Sequence, residues 1–174
     1  MNSWLRWITR AFGVPDPRIV WPRPHFEQVM AELDRRGRRR HEAGVFLLGD
    51  DVGGSRVVRD AIFYDQLDPK AYDTGICVLH GAAFAQLWNV CRKRGLTVVA
   101  DAHTHGGDAR QSGSDRKNPM VARPGHIAVI VPDFARGPVL PERLGLYRYL
   151  GDHRWTEHGG RRWRRFLSLR EVRR

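Results

Sequence analysis

Three short, largely apolar runs most constrain how this chain can fold: Ala43 to Leu48, Leu96 to Ala102 and Gly125 to Val131. Each has strand length rather than helix length, and the first closes on the turn residues Gly49 and Asp50. Runs that are apolar on successive residues, rather than alternating, belong to strands covered on both faces. The cover is legible too. Phe26, Val29, Met30 and Leu33 follow the i, i+3, i+4, i+7 spacing of one helical face, and that helix should end near Gly37. Phe84, Leu87, Trp88 and Cys91 form a second such face, with Arg92, Lys93 and Arg94 where positive charge suits a helix C-terminus and Gly95 as the stop.

Hairpins complete the pattern. Ser55 to Tyr64 resumes after the turn Gly53-Gly54, and Leu144 to Leu150 pairs with Trp155 to His158 across Gly151-Asp152. Helices alternating with strands over 174 residues predict one α/β domain, a mixed β-sheet flanked by helices. The domain is expected over residues 25–158. An N-terminal arm, 1–24, precedes it, because Pro15, Pro17, Pro22 and Pro24 forbid a regular helix. A basic tail, 159–174, follows.

The net charge of +11 comes almost wholly from arginine, 27 Arg against 3 Lys, which suits planar pairing with carboxylates or phosphates. Nucleic acid is weighed as an alternative partner and not the expected one, on the run Arg35 to Arg40 and on Trp163 and Phe166 interleaved with Arg161, Arg162, Arg164 and Arg165. Such runs are as commonly solvated helix ends. The two cysteines, Cys77 and Cys91, have no metal-ligand spacing and give no disulfide framework. No apolar run reaches the roughly 20 residues that span a bilayer. The first residues interleave Trp4, Leu5, Trp7, Ile8 and Phe12 with Arg6 and Arg10, unlike a cleavable signal, so the expected location is cytoplasmic with no membrane partner.

Chemistry concentrates where the second apolar run ends. His103 and His105 alternate about Thr104, so on a strand both imidazoles share a face. Ser112 follows after six residues and Asp115 after two more. Two histidines and a carboxylate fill three positions of a tetrahedral zinc and leave the fourth open, the arrangement of a hydrolytic site. Two surface histidines beside a polar turn are the plainer reading of that spacing alone. Glu42, at the mouth of the first apolar run, has no packing reason to be there.

Glu42 leading a strand to Leu48-Gly49, then His103-Thr104-His105, then Ser112-x-x-Asp115, resembles the JAB/MPN (JAMM) family of zinc metallopeptidases over roughly residues 26–150. The resemblance implies a single JAB/MPN-like, cytidine deaminase-like domain. It implies that His103, His105 and Asp115 bind Zn2+, that Glu42 takes the proton of the attacking water, and that Ser112 supports the oxyanion. Two departures stand out. Gly106 occupies the position where the family usually has proline, and the loop before Ser112 is one residue short, which leaves Asp108 or Asp101 as alternative ligands.

The chain looks most like compact bacterial members that accompany ubiquitin-like modifiers and their activating and conjugating enzymes in antiphage operons. That resemblance implies hydrolysis after a modifier's C-terminal glycine. Release of an amino acid from a sulfur-carrier protein is the alternative within the same chemistry. A glycine-ended tail would lie extended beside the metal. The segment Tyr64 to Gly75 is either a wall of that channel or a plain loop, and His126 is either a support of the site or a buried structural histidine.

Overall fold

The computed structural model describes residues 18–171. The aromatic residues Trp4, Trp7 and Phe12 of the expected arm lie outside the described residues. The central feature is an eight-stranded sheet in the order β7-β6-β5-β4-β2-β3-β1-β8. Its strands are β1 (Arg18–Pro22), β2 (Gly44–Val52), β3 (Ser55–Phe63), β4 (Thr97–Thr104), β5 (Ile127–Val131), β6 (Gly145–Gly151), β7 (Arg154–Glu157) and β8 (Leu167–Arg170). Three neighbouring pairs, β1/β3, β1/β8 and β4/β5, are parallel, and the others are antiparallel.

Strand β2 shows why a continuous apolar run is needed. Its side chains alternate across the sheet, so Val45 and Leu47 join one core while Phe46 and Leu48 join the other. The first core lies under helix α1 (Arg23–Gly37), which buries Phe26, Val29, Met30 and Leu33 as their spacing predicts. The second lies under helix α3 (Gly81–Arg94), reached through the short helix α2 (Tyr64–Leu67). There Leu87 and Cys91 are buried, but the expected partner Trp88 is 38% exposed, and Ala83 takes its place in the core. Gly95 ends α3 with φ +64, a left-handed conformation that suits glycine.

Gly49 does not end β2. It sits at a register shift against β3, where an added Cβ would stand 1.8 Å from the Val57 carbonyl oxygen, so only glycine lets the two backbones meet.

The sheet takes residues from both flanking segments. Arg18–Pro22, within the expected arm, is strand β1, with Ile19 and Trp21 fully buried. Four of its five residues lie between Pro17 and Pro22 and keep their N–H groups for the ladder, and Pro24 falls in the first turn of α1, where no N–H is required. In the tail, Phe166 and Leu167 are buried in the first core, His158 stacks on Phe166 at 4.3 Å, and Leu167–Arg170 pairs with β1 as β8. Among the described residues, no helix is long and apolar enough to cross a membrane.

Candidate metal centre

The register of the sheet sets the site. Gly44, at the start of β2, pairs with His103 near the end of β4. Thr104, whose side chain points away from the histidines, accepts a hydrogen bond at Oγ1 from the Ala43 amide (2.9 Å) and donates its own amide to the Ala43 carbonyl (2.9 Å). These two bonds hold Glu42 beside the histidine pair. The Glu42 carboxylate is itself held at one end, where Oε2 accepts from the Cys77 amide (3.1 Å), while Oε1 faces His105 Nε2 at 3.9 Å.

His103 and His105 turn their Nε2 atoms towards each other, 3.1 Å apart. Asp115 Oδ1 lies 3.5 Å from His103 Nε2, and Asp115 Oδ2 lies 3.2 Å from His105 Nε2. Donor atoms at about 2.0–2.2 Å from a tetrahedral divalent ion stand about 3.3–3.6 Å apart, close to these separations. Two imidazole nitrogens and a carboxylate oxygen, all within 4.8 Å of one another, thus fit a metal ion with one coordination position left open.

The spacing from Ser112 to Asp115 has its own physical cause. Ser112 is the N-cap of helix α4 (Gly113–Lys117): its Oγ accepts from the Asp115 amide (3.1 Å), and its amide donates to Asp115 Oδ2 (2.7 Å). The reciprocal bonds aim the Asp115 carboxylate at the histidines. They use Ser112 Oγ as an acceptor, so its O–H remains available to donate into the cleft it lines.

Neither alternative ligand joins the donor set. Asp108 is exposed and pairs with Arg110 through Oδ2 (2.6 Å). Asp101 lies behind His103, 1% exposed, and faces its Nδ1 at 3.9 Å. This carboxylate also accepts from the Tyr64 hydroxyl at Oδ2 (3.2 Å) and meets His126 Nε2 at Oδ1 (2.5 Å). Burial alone would raise the Asp101 pKa, but His103 and His126 outweigh it and hold the carboxyl below its usual value.

His103 Nδ1 is buried without a hydrogen bond, and Asp101 is the carboxylate it faces. A ligating histidine places its second ring nitrogen against such an acceptor. Burial depresses the His103 pKa, yet Asp101 and Asp115 together carry it up to about 10 in the metal-free chain. Burial works against ionised Asp115 as well, and its bonds to His103 and His105 hold it well below the usual carboxylate range. A cation between these groups satisfies the charge that protons satisfy without it.

The loop departures also have local causes. A Cβ on Gly106 would stand 2.6 Å from Phe134 Cζ, so the Phe134 ring occupies the space that a proline at that position would need. Phe134 is held there by its amide, which donates to the His105 carbonyl (2.8 Å). The shortened loop crosses the start of β6, where the Ala109 carbonyl accepts from Tyr147 Oη (3.0 Å) and comes within 2.0 Å of where a Cβ on Gly145 would lie.

No family model matches the chain. It is similar to a Sinorhizobium fredii protein named as a probable metalloprotease, y4jG. The two are 29% identical over 140 residues, covering 80% of this chain and 86% of the relative. Among solved structures, a solution structure of a Desulfitobacterium hafniense protein superposes with a TM-score of 0.63 at 18% identity, over 88% of this chain and 94% of that one, and so shares the fold. A Salinibacter ruber protein gives 0.49 at 20% identity, over 75% of this chain and 84% of that one.

The donor set opens onto a cleft of about 390 Å³. Its lining includes the segment Ile76 to Leu79, residues from Ser112 to Met120, and Trp155. The segment Tyr64 to Gly75, read from the sequence as either a channel wall or a plain loop, folds as α2 and turns, with Tyr64 buried beneath the site and its hydroxyl on Asp101. Sequence reasoning missed Thr104, the Cys77 amide and the Tyr64 hydroxyl; it named His126 as a candidate support and Asp101 as an alternative ligand, and the structure joins all three as a Tyr64–Asp101–His126 cluster. Asp101 and His126 carried one available signal, since each is a polar residue inside or beside an otherwise apolar strand.

Asp101→Asn tests that support. Removing the charge leaves His126 and His103 facing an amide, and loss of such an outer partner costs about 10–100-fold in metal affinity. The expected result is weaker metal binding by competition with a chromophoric chelator, with the fold retained by circular dichroism. Unchanged affinity would remove Asp101 from the site's support.

Proposed function

We propose that this chain is a zinc-dependent peptidase or isopeptidase of the JAB/MPN type, with the fold of that family. Its substrate in this reading is the amide bond after the C-terminal glycine of a ubiquitin-like modifier, cut in deconjugation or precursor processing within a bacterial conjugation system for antiphage defence. The observation that carries the reading is Glu42, anchored by one oxygen on the Cys77 amide with the other facing the three-residue donor set. Its second oxygen faces His105 Nε2 at 3.9 Å, at the edge of the donor set. The similarity to a protein named a probable metalloprotease supports the coarser part of the reading.

His103, His105 and Asp115 would hold the ion, which when bound would supply Lewis-acid polarisation of the scissile carbonyl and acidify water. Glu42 Oε1 accepts the proton of the attacking water and delivers it to the leaving amine, while Oε2 stays fixed on Cys77. Ser112 donates its O–H to the developing oxyanion, its lone pair already engaged by the Asp115 amide. In this reading a narrow, glycine-ended tail lies along the segment Ile76 to Leu79, which lines the cleft. The arginine excess then serves to steer an acidic partner, the modifier or an activating or conjugating enzyme.

A fusion of a glycine-ended ubiquitin-like protein to a reporter tests this. Cleavage after the glycine by the zinc-loaded chain is expected, with none after the same junction carrying proline in place of glycine. Equal cleavage of unstructured peptides lacking the modifier would overturn the modifier and keep the peptidase.

A further inference from the structure

A second cavity of about 230 Å³ lies behind the metal centre, and the two back onto one another across the His126–Asp101 pair. Its polar lining is Arg56, Arg123, His126 and Asp51, and its apolar wall includes Trp88 and Pro124. Arg56 is half-buried and bridges two carbonyls, donating from Nη1 to Val99 (3.2 Å) and from Nη2 to Gly125 (2.6 Å). These bonds place the guanidinium but do not neutralise it. Among the described residues no carboxylate comes within ion-pair distance of Arg56; Asp51 attracts it from farther off, and Arg123 and Arg148 add like charge. Arg123 is exposed at the mouth and has no carboxylate partner among the described residues. A half-buried cation without a paired anion is costly, and a second cation at the same cavity increases the cost.

The indole of Trp88 is the other unexplained feature. It sits on the helical face expected to be core, yet remains 38% exposed at this cavity. A flat apolar wall beside convergent guanidiniums matches a ligand with an anionic head and a ring. The volume falls below the ~300–1,000 Å³ of sites for drug-sized molecules, so the ligand is small.

We propose that this cavity is a binding site for a phosphate monoester, its phosphate between Arg56 and Arg123 and its attached ring against Trp88. The two guanidiniums of the lining, Arg56 and Arg123, favour a phosphate, whose three oxygens can accept from both, over a carboxylate with two. Nothing in this assignment depends on the peptidase reading.

The test titrates the metal-loaded full chain with inorganic phosphate, phenyl phosphate and benzoate, following the Trp88 indole and Arg56 side-chain resonances by NMR. Saturable shifts are expected with both phosphates, phenyl phosphate binding about tenfold more tightly than phosphate and than benzoate. Arg56 ties two strands and a loop, so its replacement risks the fold. Arg123→Glu at the exposed mouth avoids this, and should weaken phenyl phosphate about tenfold or more at unchanged melting temperature. Absence of saturation, benzoate binding as tight as phenyl phosphate, or wild-type affinity in Arg123→Glu would each overturn the site.

Discussion

Glu42→Gln is expected to keep the metal and slow hydrolysis by about 10²–10⁴-fold, the range of a positioned general base. The reasoning is local. The side chain does not belong to the donor set, since Oε1 lies 3.9 Å from His105 Nε2 while Asp115 and the two histidines converge among themselves. Gln keeps an oxygen to accept from the Cys77 amide, so the Ile76 to Leu79 wall should stay in place. What is lost is the ability to take a proton. Bound metal measured by mass spectrometry and turnover measured on the modifier fusion separate the two properties. Turnover equal to wild type would show that Glu42 is no base. Loss of the metal would show that Glu42 acts as a ligand.

The same residue shows what can be read from a linear chain. Glu42 was visible because a carboxylate at the head of an apolar strand lacks a packing reason, and His103 and His105 because strand periodicity puts alternate residues on one face. The structure brings these three together with Asp115 and Ser112. The sequence also left alternatives that only packing resolves: Asp101 and Asp108 fit a ligand's chemistry equally, but one lies buried behind His103 and the other pairs with Arg110 at the surface. Ser112-x-x-Asp115 carries two meanings in one spacing, a helix cap and an aimed carboxylate, and the geometry uses both.

The fold was least legible at its edges. Helix α1 and strand β3 follow strong periodic patterns and form where they are expected, while β2 runs on past Gly49 to Val52. Strand β1 hides between prolines, and its pairing with β3 and β8 joins residues far apart in sequence, which no local pattern encodes. Trp88 illustrates the converse: helical spacing assigns it to the core, while the helix turns Ala83, Leu87 and Cys91 inward with Phe84 and Val90 packed at their margin.

Stripping the metal is expected to abolish hydrolysis and lower the melting temperature, with both restored by adding zinc. The size of the second effect follows from linkage: a ligand at about 100 times its dissociation constant stabilises the folded chain by about 2.7 kcal/mol. For a chain of this length each kcal/mol moves the melting temperature by roughly 2–4 °C, so the shift should be roughly 5–10 °C. The site itself should not collapse on removal, because His103, between Asp101 and Asp115, then takes up a proton in place of the ion. Asp115→Asn provides the control. Its amide oxygen can still accept from the Ser112 amide and keep α4 capped, but it loses the charge that the ion requires. The variant should therefore be inactive, and its melting temperature should respond to neither zinc nor chelator. A chelated wild-type chain that still cleaves the fusion would remove metal from the chemistry, and an Asp115→Asn chain stabilised by zinc as strongly as wild type would move the ion to other donors.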